Sequence, residues 1–259
     1  MRAWRLLPWL VTYAVAMAYV ESAVVVYLRA IYYPRGFSFP LAPMPPDMVA
    51  VEIGREVATL VMLLGVAMLA GTERWDRFLA FCVTFGVWDL FYYVWLWLLL
   101  GWPPSLLTWD VLFLIPVPWI GPVLAPAVVS SALVIGGLLL LRKGARGEPV
   151  NISVPLWILL VTGGLLVLSS FVLDFRVALL QLEPPPFRWG WFGTGVVLGV
   201  VALVLALRKR SSREGFAPSK GAVRHARRDA KETKRRRRLQ QLVPGFAPLS
   251  GNGTPHRRP

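Results

Sequence analysis

Histidine and cysteine are nearly missing from this chain. Its 259 residues include two histidines, His225 and His256, both in the strongly basic last fifth, and one cysteine, Cys82, inside an apolar run. Without histidine elsewhere, the first four-fifths cannot build a bis-His haem site, a His-ligated zinc site or a Glu-x-x-His di-iron site. Ser-His-Asp and Cys-His arrangements are excluded there on the same ground. One cysteine rules out a disulfide within the chain, and its apolar setting reads as a small core-packing thiol. Neither a Walker A sequence nor Gly-x-Gly-x-x-Gly occurs, which removes those nucleotide-binding routes. No cofactor is identified, and no metal site is assigned. The remaining chemistry belongs to carboxylates, tyrosine, arginine and tryptophan. Such groups suit proton transfer or a hard cation.

Charge is scarce too, at 16% of residues, while 56% are hydrophobic and the mean hydropathy is +0.57. Apolar stretches of about 20 residues, each long enough to cross a bilayer as a helix, recur along the first four-fifths. We read six spans, at about 6–29, 52–71, 78–100, 111–141, 155–174 and 189–207. The expected fold is all-α, a polytopic integral membrane helix bundle. Residues 1–209 would form the six-span domain and 210–259 a basic cytoplasmic tail. The fourth span is overlong and holds Pro116, Pro118, Pro122 and Pro126. We expect it to be proline-broken, extended at first and regular after Pro126, with protein covering the irregular part. Arg2, Arg5 and Ala16-Met17-Ala18 resemble a signal peptide, but the apolar run continues through Leu28, which favours a retained helix.

The positive charge is concentrated at one end. From Arg208 onward there are 16 Lys/Arg against Glu214, Asp229 and Glu232, whereas the preceding 207 residues hold 12 basic and 11 acidic side chains. By Lys/Arg bias both termini are expected in the cytoplasm, in a bacterial-type inner membrane or plasma membrane. Lys234, Arg235, Arg236, Arg237 and Arg238 form the densest block, a candidate for anionic lipid headgroups. No aromatics interleave with it, so no specific nucleic-acid partner is expected. The bilayer is the primary partner, and subunits of a membrane complex are a further possibility. Asn151-Ile152-Ser153 and Asn252-Gly253-Thr254 match the glycosylation triplet by chance, both falling on the cytoplasmic side.

Against that background, carboxylates inside apolar runs stand out. A charge in hydrocarbon costs about 2.5–3.5 kcal/mol on insertion scales. At ~1.5 Å of rise per residue, Glu52 and Asp110 lie near the outer edge. Glu56 is about 6 Å down, Glu21 about 12 Å and Asp89 about 17 Å. They come from four spans yet share the outer half, so a packed bundle can bring them to one outward-facing cavity. Arg55 stands between Glu52 and Glu56 as their expected partner. Tyr92 and Tyr93, one turn beyond Asp89, can offer hydroxyls to the same space. Gly136-Gly137 and Gly163-Gly164 read as close helix packing, and Asp174 and Arg176 as an interfacial pair. The candidate set, Glu21, Glu52, Arg55, Glu56, Asp89, Tyr92, Tyr93 and Asp110, fits binding or transport of a cation, proton or small molecule. Two alternatives remain. One is a membrane enzyme using a protonated carboxylic acid on a lipid or isoprenoid, lined by Trp88, Tyr92, Tyr93, Trp95 and Trp119. The other is a non-catalytic subunit.

Overall fold

A computed structural model describes residues 2–148, 150, 152–180 and 184–208. The expectations for the tail, its Lys234–Arg238 block and the asparagines of both glycosylation triplets lie outside the described residues. In chain order the elements are α1 (Arg2–Tyr32), α2 (Pro46–Ala70), α3 (Arg74–Leu100), β1 (Trp109–Phe113), β2 (Trp119–Pro122), α4 (Leu124–Ala145), α5 (Val154–Val172), α6 (Phe175–Leu180) and α7 (Trp189–Arg208). Among the described residues, six helices are long and apolar enough to cross a membrane, which points to a membrane location.

The bundle is organised around α3, which packs against α1, α2 and α4, while α5 and α7 form a second pair that meets α4 through α7. Along α3, Leu79, Val83, Gly86, Val87, Tyr93 and Leu96 are buried. These positions fall on more than one face, as expected of a central helix with neighbours on several sides. Small residues set how closely the helices approach. A Cβ on Gly137 would stand 2.6 Å from Val83 Cγ2, and one on Gly86 would stand 2.6 Å from the Ser130 carbonyl oxygen. Gly163 and Gly195 press the α5 and α7 backbones together in the same way. At the other end of α1, the Asp76 carboxylate accepts the Arg2 and Ala3 N–H groups at 3.0 and 3.4 Å, satisfying donors that a helix start leaves open.

The fourth span departs from the expected broken helix. Its first part is an antiparallel hairpin, with Trp109 opposite Pro122, Asp110 opposite Gly121 and Val111 opposite Ile120. Pro116 and Pro118 occupy the turn, where no ladder donor is needed, and Pro122 ends the second strand. Helix α4 begins at Leu124, before Pro126. Pro126 falls in the first turn, where its missing N–H costs no hydrogen bond. The fold is therefore mostly helical rather than wholly so. Protein covers the irregular backbone, since Gly121 lies against the rings of Phe171 and Phe187.

Two carboxylates are more buried than a position near the outer edge suggests. Glu52 and Asp110, placed near the edge by sequence, are 5% and 3% exposed. Helix α2 starts at Pro46, so Glu52 is almost two turns inside it, and the hairpin folds Asp110 back over the bundle.

Candidate functional site

At the end of the bundle where α1 and α3 finish and α2 and α4 begin lies a cavity of about 170 Å³. All eight candidate side chains line it: Glu21, Glu52, Arg55, Glu56, Asp89, Tyr92, Tyr93 and Asp110. Its deep wall is buried helix surface, and its rim is formed by half-buried Tyr33, Phe37, Leu41 and Met44 of the α1–α2 connection. An engineered apolar cavity of about 150 Å³ holds benzene, so the space suits one small molecule and not a long lipid chain.

Each carboxylate is engaged by a protein donor. Glu21 on α1 pairs with the Arg55 guanidinium and accepts the Thr59 hydroxyl, both from α2. Arg55 Nε also donates to Glu52 Oε2 at 2.8 Å, so one guanidinium serves two carboxylates. Glu56 is within electrostatic reach of the same guanidinium but makes no ion pair with it within 4 Å. Its two oxygens accept the Leu114 N–H at the end of β1, at 3.1 and 2.9 Å. Asp89 accepts the Ser130 hydroxyl at 2.7 Å, which joins α3 to α4. Of the two tyrosines one turn along α3, Tyr93 serves a different carboxylate, its Oη donating to Asp110 Oδ2 at 3.3 Å.

Asp110 also meets Arg29, whose Nη2 lies 3.5 Å from Oδ1. The same guanidinium sits 3.7 Å from the Trp102 ring centroid and 4.8 Å from that of Phe37, a cation–π sandwich at the rim. Asp110 lies on the hairpin, outside the six helices long and apolar enough to cross a membrane. Burial pushes its carboxyl up to about 6, against the opposing pull of Arg29, the Val111 N–H and the Tyr93 hydroxyl. Tyr33 Oη accepts the Ala42 N–H at 2.8 Å and so braces the connection that forms the rim. Burial also raises the Tyr33 hydroxyl above its ordinary value.

Sequence reasoning passed over several of these groups. Arg29 closes the first apolar run and Ser130 is a hydroxyl within the fourth, so neither stands out in the sequence. Thr59 and the Leu114 N–H gave no signal at all, being neutral donors in an apolar stretch. Trp95 and Trp119, grouped by sequence with the lining aromatics, lie elsewhere. Trp95 Nε1 donates to the Val15 carbonyl at 3.0 Å, and Trp119 stacks on Phe171. The expected Asp174–Arg176 pair is replaced by a two-point Asp174–Arg188 bridge at 2.6 and 2.9 Å.

Among the described residues, the lining carries five carboxylates and two guanidinium groups. Trp88, also in the lining, is buried with its indole N–H lacking an acceptor among the described residues. No three acidic, histidine or cysteine side chains among the described residues are grouped as a metal ion would require. No protein family, curated protein or solved structure matches this chain.

Proposed function

We propose that the chain binds a small organic cation, of the class of a protonated amine, in the carboxylate cavity, as the first step of recognising or transporting it at the membrane. The observation that carries this reading is the charge imbalance: five carboxylates line one small cavity with two guanidinium groups. Arg55 is divided between Glu21 and Glu52, and Arg29 is engaged by Asp110, so Glu56 and Asp89 meet neutral donors. Buried carboxylates with less than a full counter-charge are costly, and a cation or a proton relieves that cost. An ammonium ion would donate to carboxylate oxygens while Trp88, Tyr92 and Tyr93 offer ring faces to its charge.

The scattered placement of the carboxylates favours an organic cation over a metal ion, and the volume favours it over an isoprenoid substrate. No cofactor enters this reading. The Lys/Arg bias supports cytoplasmic termini, an outward-opening cavity and a tail that adheres to anionic headgroups. The test is calorimetric titration of the purified full chain with an alkylammonium series, with the neutral alcohols of matching shape as controls. Saturable binding of the ammonium compounds, lost in Asp89→Asn and in Glu56→Gln, is the expected result. Equal heats from the alcohols, or ammonium binding unchanged in both variants, would overturn the reading.

A further inference from the structure

The rim of the carboxylate cavity is a strap with few fastenings. Residues 33–45 join α1 to α2 through turns and bends and carry Pro34, Pro40, Pro43 and Pro45. Fixed proline torsions stiffen such a segment, so it moves as a body and not by unravelling. The strap is folded on itself. Tyr33 Oη accepts the Ala42 N–H at 2.8 Å, and the Gly36 N–H donates to the Tyr33 carbonyl at 2.9 Å. Among the described residues, no hydrogen bond or ion pair ties 34–44 to α3, to the hairpin or to α4.

Side chains fasten it instead. Gly36, at φ 102°, turns the chain just before Phe37. The Phe37 ring meets the edge of Trp102, with centroids 6.0 Å apart and planes at 80°. Arg29, in the last turn of α1, lies against both rings, 4.8 Å from the Phe37 centroid and 3.7 Å from that of Trp102. Trp102 follows the end of α3, and Asp110 on β1 meets the same guanidinium at 3.5 Å. One side chain of a residue only 9% exposed thus touches the strap, the segment after α3 and the hairpin together. Contacts of this kind are weak beside the packing between helices, and a segment held by few of them opens locally while the rest stays folded.

We propose that Arg29 is the latch of a lid. When its guanidinium leaves Phe37, residues 33–45 swing away, carrying Phe37, Leu41 and Met44 off the rim, and the cavity exchanges its contents with the aqueous phase. Arg29 acts here as a positioning residue, by holding the lid. The proposal rests on the reading of the cavity as a binding site entered over this rim, and not on the charge of what enters. Gating of this kind sets the rate of entry and release.

The test measures access to the cavity in the full chain. Thr59, 1% exposed, is a lining residue, and Thr59→Cys places a thiol there at nearly the same volume. The native Cys82, 8% exposed, is about two turns along α3 from Asp89 and outside the lining, so it reports general loosening of the bundle. Methyl methanethiosulfonate, being uncharged, is insensitive to the charge at the mouth. Its rate of reaction with each thiol is followed by peptide mass spectrometry. Arg29→Gln and Phe37→Leu are each expected to speed labelling of the introduced thiol about ten-fold, the factor for a lost desolvated cation–π contact. Arg29→Lys, which keeps a cation between the rings, should stay closer to the wild type. Cys82 should react at one rate throughout. Rates unchanged at the introduced thiol, a rise shared equally by Cys82, or lysine labelled as fast as glutamine would overturn the latch. Should Arg29→Gln fail to fold, Phe37→Leu carries the test, since it leaves the Arg29–Asp110 pair in place. Labelling needs no bound ligand. An alkylammonium titration that fails while the labelling rates follow this order therefore removes the cation reading and leaves the lid.

Discussion

Glu56 on α2 holds the backbone of Leu114, accepting its N–H through both carboxylate oxygens at 3.1 and 2.9 Å. Leu114 lies between β1 and the turn that carries Pro116 and Pro118, where the strand ladder offers its N–H no partner. The carboxylate thus anchors an irregular segment to a helix, and it does so from inside the cavity. Glu56→Gln retains an acceptor and should unfold near the wild-type midpoint. Glu56→Leu removes the acceptor and should destabilise the bundle by about 1–3 kcal/mol. Thermal unfolding in detergent reads the difference, and a Leu variant as stable as the Gln variant would deny the anchor.

Arg55 bridges α1 and α2 by serving Glu21 and Glu52 together. Removing one partner of a buried ion pair strands the other, at a cost of about 3–5 kcal/mol. Arg55→Gln should therefore be severely destabilising, and Glu21→Gln in the same chain should recover part of the loss. The recovery is a coupling energy, expected at about 0.5–3 kcal/mol for groups in contact. Strictly additive unfolding energies would mean that the two side chains act independently.

That five carboxylates and their neighbours meet at one end was legible because a charge in an apolar run is costly and therefore conspicuous, and because helix rise converts position into depth. Glu21 and Asp89 were legible in this sense. Ser130 and Thr59 were not, since a hydroxyl in a helix costs little and leaves no mark on hydropathy. The prolines of the fourth span announced irregular backbone, but pairing Trp109 with Pro122 is a non-local choice that no periodicity encodes. Asp174 illustrates the same limit. Two residues along the chain it had a cation in Arg176, yet it takes Arg188, 14 residues away, whose fork reaches both carboxylate oxygens.

Gly86 sets the distance between α3 and α4 beside the Asp89–Ser130 hydrogen bond. A methyl group there would stand 2.6 Å from the Ser130 carbonyl oxygen, a backbone atom that cannot swing aside. Gly86→Ala should cost about 1–3 kcal/mol through overpacking. It should also weaken ligand binding at the cavity by displacing Ser130. Gly54→Ala is the matched control on α2, where nothing lies within 4 Å. It should be neutral or stabilising by about 0.4–1 kcal/mol. Equal stabilities for the two variants would remove the close approach as a determinant of the site.

Asp110 gives the cavity a defined response to pH. Burial, opposed by Arg29, leaves its carboxyl at about 6 in the folded chain, above the ordinary value of 3.8. Between those values the folded state holds a proton that the unfolded state has released, so stability must fall as pH rises. The contribution is fully present below the ordinary carboxylate range and lost by about pH 6, an effect of about 3 kcal/mol. Cation binding should run the opposite way, gaining strength as Asp110 ionises and adds a negative charge to the lining. The comparison is between wild type and Asp110→Asn, in unfolding midpoint and in alkylammonium affinity, from pH 4 to 7. The variant should flatten both slopes without abolishing them, since its amide cannot titrate while the other lining carboxylates still do. If its midpoint still falls across that window as steeply as the wild type's, the response belongs to another group of the cavity.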